Sequence, residues 1–326
     1  MKALRVHELG DPEAVMQLEE VPIPEPSAGT VRIKVEAAAL NFPDVLMCRG
    51  EYQVKAPTPF IPGAEVAGII DAVGENVDGL DVGQPVLAIP ATGGFTEYTI
   101  ASAAGGVFAI PDSMPFRAAA ALHVTYQTGH LALHRRAHLQ AGETMLVHAG
   151  AGGVGSAAIQ LGLAAGARVI ATAGGAEKVD VCRQLGAEIA VDYREQDFVD
   201  VVKDVTGGRG ADVIYDPVGG DVYDRSTKCV AFEGRILIIG FTGGRFAEAR
   251  TNHVLIKNYA VVGVHWGLYN VMNPQIVRDT HDELIRLYEA GKIDPLVSET
   301  IDLAAVPSAL GRLGSRGTYG KIVCAL

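Results

Sequence analysis

Glycines 150, 152 and 155 stand at the spacing G-x-G-x-x-G within the run Val147-His148-Ala149-Gly150-Ala151-Gly152-Gly153-Val154-Gly155. That spacing suits a backbone that must come close to a pyrophosphate, because a Cβ would block the approach and helix N-terminal N–H groups hold the anion. The chain has 39 glycines, so spacing alone is weak and the flanks must carry the reading. Thr144 to Val147 reads as a buried strand, and Val154 to Gly166 has the small, apolar texture of a packed helix. Gly150, Ala151, Gly152, Gly153, Val154 and Gly155 are therefore expected to hold a dinucleotide. An ordinary glycine-rich βα turn is the competing reading.

The elements that must position this turn form a regular series. A helix is expected over Thr125 to Ala137. Candidate strands follow at Thr144–His148, Arg168–Thr172, Glu188–Val191, Asp212–Tyr215, Arg235–Ile239 and Val261–His265. Helical segments alternate with them at Val154–Ala165, Ala176–Leu185, Asp197–Thr206 and Asp221–Val230. Such alternation gives an α/β, doubly wound parallel sheet. The first ~120 residues lack it. Val31 to Ala37 alternates with period two, Val66 to Val73 is rich in β-branched residues, and Pro and Gly punctuate the region; a partly open β-barrel is expected. A helix over Asn273–Ala290 precedes a β-like tail, Gly320 to Cys324, too short for a domain and expected to return to the barrel. The resulting boundaries are 1–122, 123–266 and 267–326.

At 326 residues the chain can bury two separate cores. A formal net charge of −11 disfavours nucleic acid as a partner and leaves any anionic cofactor to local donors. Neither a signal-peptide core nor an apolar run approaching ~18 residues is found, so no membrane association and a cytoplasmic location are expected. Cys48, Cys182, Cys229 and Cys324 are too scattered for a zinc lobe or a disulfide framework.

Several segments together carry a resemblance. They are Asn41-Phe42-Pro43-Asp44, Arg49-Gly50-Glu51-Tyr52, Pro62 to Gly68, His148 to Gly155, Tyr215-Asp216-Pro217-Val218-Gly219-Gly220 and Arg316-Gly317-Thr318-Tyr319-Gly320-Lys321. In this order they resemble the zinc-independent quinone oxidoreductase (ζ-crystallin-like) group of the medium-chain dehydrogenase/reductase superfamily. The resemblance implies a GroES-like, partly open barrel completed by the C-terminal tail, a Rossmann unit, and a cofactor held in a cleft.

In zinc-dependent members a cysteine stands at the position resembling Asn41, and a His-Glu pair follows the glycine resembling Gly63. Here Asn41 and Ala64 replace the thiolate and the imidazole, and Glu65 alone makes no site. No metal is expected. A rival is the face His130/His134/His138, spaced every four residues beside Arg135 and Arg136, whose positive charge opposes a metal ion.

Without a Lewis acid the hydride acceptor must disperse its own negative charge, as a quinone or an α,β-unsaturated carbonyl does by conjugation. Tyr52 is the first candidate to hydrogen-bond the reacting oxygen, with a barrel-wall aromatic as the competing reading. Asn41 is a candidate for bonding the substrate oxygen or the cofactor ribose, and Asp44 for orienting its loop. Phe42 and Thr125 are candidate cofactor contacts.

NAD enzymes usually carry an acid ~20 residues past the glycines. Here Ala171 to Gly175 offers none. Lys178, Tyr193 and Arg316 match positions that hold the 2′-phosphate in NADPH-using relatives, and Gly175 opens the helix that bears Lys178; NADPH is the expected cofactor. Gly240, Phe241, Val264, His265 and Trp266 are expected on the nicotinamide side. An enoyl-thioester reductase of the acrylyl-CoA type, or an NADPH-binding redox sensor or structural protein with little turnover, are the alternatives. A homodimer is expected through an apolar edge strand, Ala260–His265.

Overall fold

The computed structural model describes residues 1–53, 55–91 and 93–326. Met1–Val124 together with Pro295–Leu326 form one compact unit, and Thr125–Asp294 form the other.

In the first unit β1 (Lys2–Val6) pairs antiparallel with β2 (Met16–Glu20). The larger sheet contains β3 (Thr30–Ala39), β4 (Val66–Val73), β5 (Pro85–Ala88), β6 (Tyr98–Ser102) and β7 (Val107–Ala109). β3 is central because its pattern demands it. Val31, Ile33 and Val35 point into the core, while Arg32 turns outward to pair with Asp71 at 2.7 Å. Both β4 and β6 pair with β3.

The second unit carries β8 (Thr144–Val147), β9 (Arg168–Ala173), β10 (Ile189–Asp192), β11 (Ala211–Asp216), β12 (Val230–Ile238) and β13 (Ala260–Gly263). They form a parallel sheet in the order β10-β9-β8-β11-β12-β13. Met145, Leu146 and Val147 of β8 are fully buried, as a strand covered on both faces requires. The order reverses at β8, so the glycine turn leaves the sheet at its topological switch point.

Three local expectations differ from what forms. The helix expected from Thr125 begins at Phe116, where the run Ala118 to Ala121 favours it, and passes into a π-helical stretch over Leu131–Arg136. The helix expected over Asp221–Val230 ends at Ser226, because Val230 already pairs with Ala211 in the sheet. Residues 267–294 belong to the second unit, not to the return. Gln127 Nε2 donates to the Val277 carbonyl at 2.8 Å, and Gln160 exchanges two hydrogen bonds with the Asp294 backbone, at 2.9 and 2.6 Å. These bonds hold helix Pro274–Glu289 to the Rossmann unit.

After that helix the chain re-enters the first unit. β14 (Val297–Ile301) and β15 (Lys321–Ala325) add to the larger sheet, with β15 pairing antiparallel to β3. Among the described residues no helix is long and apolar enough to cross a membrane.

Candidate functional site

The second unit presents the glycine turn. A methyl group on Gly155 would lie 2.1 Å from the Ala149 carbonyl oxygen, and one on Gly150 would lie 2.9 Å from both Ala171 Cβ and Cys182 Sγ. Close packing therefore requires these two glycines. At Gly152 such a methyl would meet one atom, Ala149 O, in a tight contact at 3.3 Å, and the rest of its surroundings are open. Gly152 caps helix Gly153–Ala164, and the first i→i−4 bond of that helix runs from Ser156 N to Gly152 O at 2.8 Å. The N–H groups of Gly153, Val154 and Gly155 precede that bond and have no carbonyl partner within the helix. A tight backbone with orphan donors over an open side fits a pyrophosphate.

His148 braces this turn from below. It is 1% exposed and bonds Thr172 Oγ1 through Nδ1 at 3.0 Å and Ser226 Oγ through Nε2 at 2.8 Å. The Ser226 hydroxyl donates its hydrogen to the Val222 carbonyl at 2.7 Å, so it accepts from Nε2–H. Nδ1 then accepts from Thr172, and the ring is the neutral Nε2–H tautomer. Burial, reinforced by the charge of Arg225, pushes its pKa down to about 3.

The turn after β9 lies beside the end of β10. Gly175, at φ 90°, caps helix Ala176–Gln184, which carries Lys178 in its first turn. Burial, and then the neighbouring charge of Arg194, hold the Lys178 ammonium below its usual range. Tyr193, half exposed, covers Gly174: a methyl there would meet its hydroxyl at 2.5 Å. The structure thus brings Gly175, Lys178 and Tyr193 to one locality.

Gly240 and Phe241 follow β12 and fold over the turn after β11. Thr242 N donates to the Pro217 carbonyl at 3.1 Å, and Phe241 stacks edge-on against Phe246 at 4.8 Å. Val264 extends the β13 pairing through a 3.1 Å bond to Ile238 O; exposed His265 and then Trp266 follow in a 3-10 turn. All five follow carboxyl ends of strands. Thr125 is buried within helix Phe116–His130.

In the first unit, helix Phe42–Arg49 begins at Asn41, whose backbone N–H donates to Asp44 Oδ2 at 2.8 Å. Half-buried Phe42 opens that helix. Asn41 Nδ2 donates to Glu65 Oε1 at 2.9 Å and to the Ala39 carbonyl at 3.2 Å, while Oδ1 accepts from Lys321 Nζ at 2.6 Å. Both amide hydrogens are committed, so the expected donation from Asn41 to a substrate oxygen is not available. Lys321 Nζ also donates to Glu65 Oε1 at 2.8 Å and to the Leu40 carbonyl at 2.9 Å, and Glu65 Oε2 accepts from Val124 N at 2.8 Å. Glu65 is 1% exposed and Lys321 5%. Sequence reasoning did not assign Lys321 a role. The available signal was a lysine beginning the apolar run Ile322-Val323-Cys324.

Asp44 lies deeper still. Burial pushes its carboxyl up to about 7, against the opposing hydrogen bond from the Asn41 backbone and the charge of Lys321. Tyr52 is half-buried, and burial, then the Asp44 charge, raise its pKa above the usual phenol range. It therefore keeps its proton at neutral pH and is a hydrogen-bond donor. Arg316 belongs to this unit, at φ 62° just beyond helix Val306–Gly314, so Lys178 and Arg316 are carried by different units.

The family described as Alcohol dehydrogenase GroES-like domain matches residues 27–112, and that described as Zinc-binding dehydrogenase matches residues 153–287. Over 326 residues the chain is 36% identical to the quinone oxidoreductase-like protein 2 homolog of Nematostella vectensis, covering 99% of this chain and 88% of that one. A probable oxidoreductase from Mycobacterium abscessus superposes with a TM-score of 0.91 at 33% identity, covering 100% of this chain and 99% of that one. The Escherichia coli quinone oxidoreductase complexed with NADPH superposes with a TM-score of 0.92 at 28% identity over 100% of both chains.

The second family description implies a metal, and the donors here do not fit one. An ammonium already occupies the oxygens of Asn41 and Glu65. Among the described residues no group of three His, Cys, Asp or Glu side chains is placed to hold an ion. His130, His134 and His138 all line one open groove of about 650 Å³, where His130 and His134 stack at 4.4 Å. His138 reaches it from past the end of the π-helical stretch, at φ 50°.

Proposed function

This chain belongs to the quinone oxidoreductase group of the medium-chain dehydrogenase/reductase superfamily, and on that premise we propose that it is an NADPH-dependent, zinc-independent oxidoreductase acting on quinones or α,β-unsaturated carbonyls. The observation that carries the reading is the buried Asn41–Glu65–Lys321 cluster, which places a fixed ammonium on oxygens that a metal would need. Bound NADPH would supply a hydride. The chain's residues bind it through the glycine turn and through Lys178 and Tyr193, and Gly240, Phe241, Val264, His265 and Trp266 flank its nicotinamide half. A conjugated acceptor disperses the charge it gains, so it needs a hydrogen-bond donor and no Lewis acid. The protonated phenol of Tyr52 is that donor. Asn41 and Asp44 cap the helix Phe42–Arg49 that precedes it in the chain.

Four cysteines that are all buried and unpaired support a reducing, cytoplasmic setting. A homodimer through β13 is supported by its place at the end of the sheet and by the neighbouring helix Thr251–Lys257, which buries none of its residues and leaves Leu255 and Ile256 exposed.

The test treats the protein with a strong chelator, verifies metal content by elemental analysis, and follows NADPH oxidation with benzoquinone, crotonaldehyde and acrylyl-CoA. Turnover with the first two after chelation supports the reading. Turnover confined to acrylyl-CoA makes the protein an enoyl-thioester reductase, no turnover with tight NADPH binding makes it a sensor, and activity restored only by zinc overturns the metal-free site.

A further inference from the structure

We propose that Arg194 is a cofactor-specificity residue whose guanidinium pairs with a ribose 2′-phosphate above the Gly174–Gly175 turn. The inference rests on the NADPH reading and adds a residue that the sequence pattern did not single out. A methyl group on Gly174 would lie 3.1 Å from Arg194 Nε, and one on Gly175 would lie 3.1 Å from Arg194 Nη1. The guanidinium therefore lies against the turn, beside the Tyr193 hydroxyl that covers Gly174.

Its backbone is fixed there. Asp192 Oδ1 accepts from Gly175 N at 3.1 Å and from Arg194 N at 3.0 Å, so one carboxylate oxygen ties the turn to the residue that covers it.

Arg194 is exposed, and its guanidinium makes no hydrogen bond or ion pair among the described residues. Neighbouring arginines behave differently: Arg168 pairs with Glu188 and Arg183 with Asp180. Lys178 is close enough for the Arg194 charge to depress its pKa, against a weaker opposing pull from Glu177, so two cations converge on one turn beside the carboxylates of Glu177 and Asp192. A phosphomonoester dianion relieves that repulsion and offers two oxygens to the planar, two-toothed donor edge of the guanidinium. A hydroxyl in the same place does neither.

Binding to the full chain is measured by fluorescence or calorimetry, without turnover. The probes are NADPH, NADH, adenosine 2′,5′-bisphosphate and AMP; the proteins are wild type, Arg194→Ala and Arg194→Lys. Arg194→Ala is expected to weaken NADPH and the bisphosphate by about tenfold to a hundredfold, with NADH and AMP changed by less than about twofold. Retained NADH binding shows that the variant is folded, and Arg194→Lys is expected to restore part of the loss. If wild type prefers NADPH and Arg194→Ala keeps that preference, or if both cofactors weaken equally, the assignment of Arg194 fails and the NADPH reading stands. If wild type binds NADH as tightly as NADPH, the NADPH reading fails and takes this inference with it.

Discussion

Replacing His148 with phenylalanine is expected to flatten the acid limb of the stability curve. Burial, with Arg225 adding to it, holds the imidazole at about 3 in the folded chain against 6.5 when exposed. Between those values the unfolded chain binds one more proton at this side chain than the folded chain does. The contribution is fully present above pH 6.5 and is lost as the pH falls toward the folded pKa, by about 1.4 kcal/mol per pH unit. From pH 6.5 to about 4.5 the loss reaches ~2 kcal/mol, a large part of a domain's net stability. The substitution removes the proton site and leaves Thr172 without its ring acceptor, a cost of ~1–3 kcal/mol at every pH. The new phenyl ring can pack on Phe198, which already stands edge-on to His148 at 4.7 Å. The assay is urea unfolding of both proteins from about pH 7.5 to about pH 4.5, with matched m-values as the check on compactness. The variant should start less stable and lose less with acid. Carboxylates common to both proteins cancel in the difference, so parallel curves would refute the neutral buried imidazole.

Four further outcomes are expected. Lys321→Met strands the Glu65 carboxylate and should cost ~3–5 kcal/mol, and adding Glu65→Gln should recover part of it in a double-mutant cycle by chemical denaturation. Gly155→Ala forces a methyl onto the Ala149 carbonyl and should lower the melting temperature and abolish NADPH binding, whereas Gly152→Ala, whose methyl meets that carbonyl oxygen only at 3.3 Å, should weaken binding and lower the melting temperature much less. Tyr52→Phe should lower turnover by about tenfold or more with NADPH affinity unchanged in a direct titration; an equal loss in both would remove the phenol from the chemistry. A lysine in place of Val262 on β13 should turn a dimer into monomers by light scattering, and a monomeric wild type at micromolar concentration would reject the edge-strand interface.

The Rossmann half was readable in the sequence because its signals are local. A strand of β8's length declares itself by a continuous apolar run, and Gly150 and Gly155, five residues apart, declare the turn by steric need. The same locality explains the errors. Helical spacing placed His130, His134 and His138 on one face, and all three do line one groove, but by way of a π-helical stretch and a left-handed His138 that no periodicity records. Helix Pro274–Glu289 was assigned to the wrong unit because its anchors, Gln127 and Asp294, lie far off in the chain or in its connecting loop.

The first unit's polar centre was decided by tertiary structure alone. Lys321 meets Glu65 across 256 residues and Asn41 across 280, and it does so only because β15 comes back to pair with β3. From sequence, Asn41 offered an amide donor, and Glu65 was one carboxylate without partners. In the fold each is consumed by the other and by the ammonium, since a buried charge is tolerable only when its hydrogen-bonding capacity is filled. The sequence by itself determined most of the backbone segments and the glycine turn proposed to hold a dinucleotide. Which side chains are already spent on one another, and which stay available for chemistry, depended on contacts between distant segments that only the folded chain brings together.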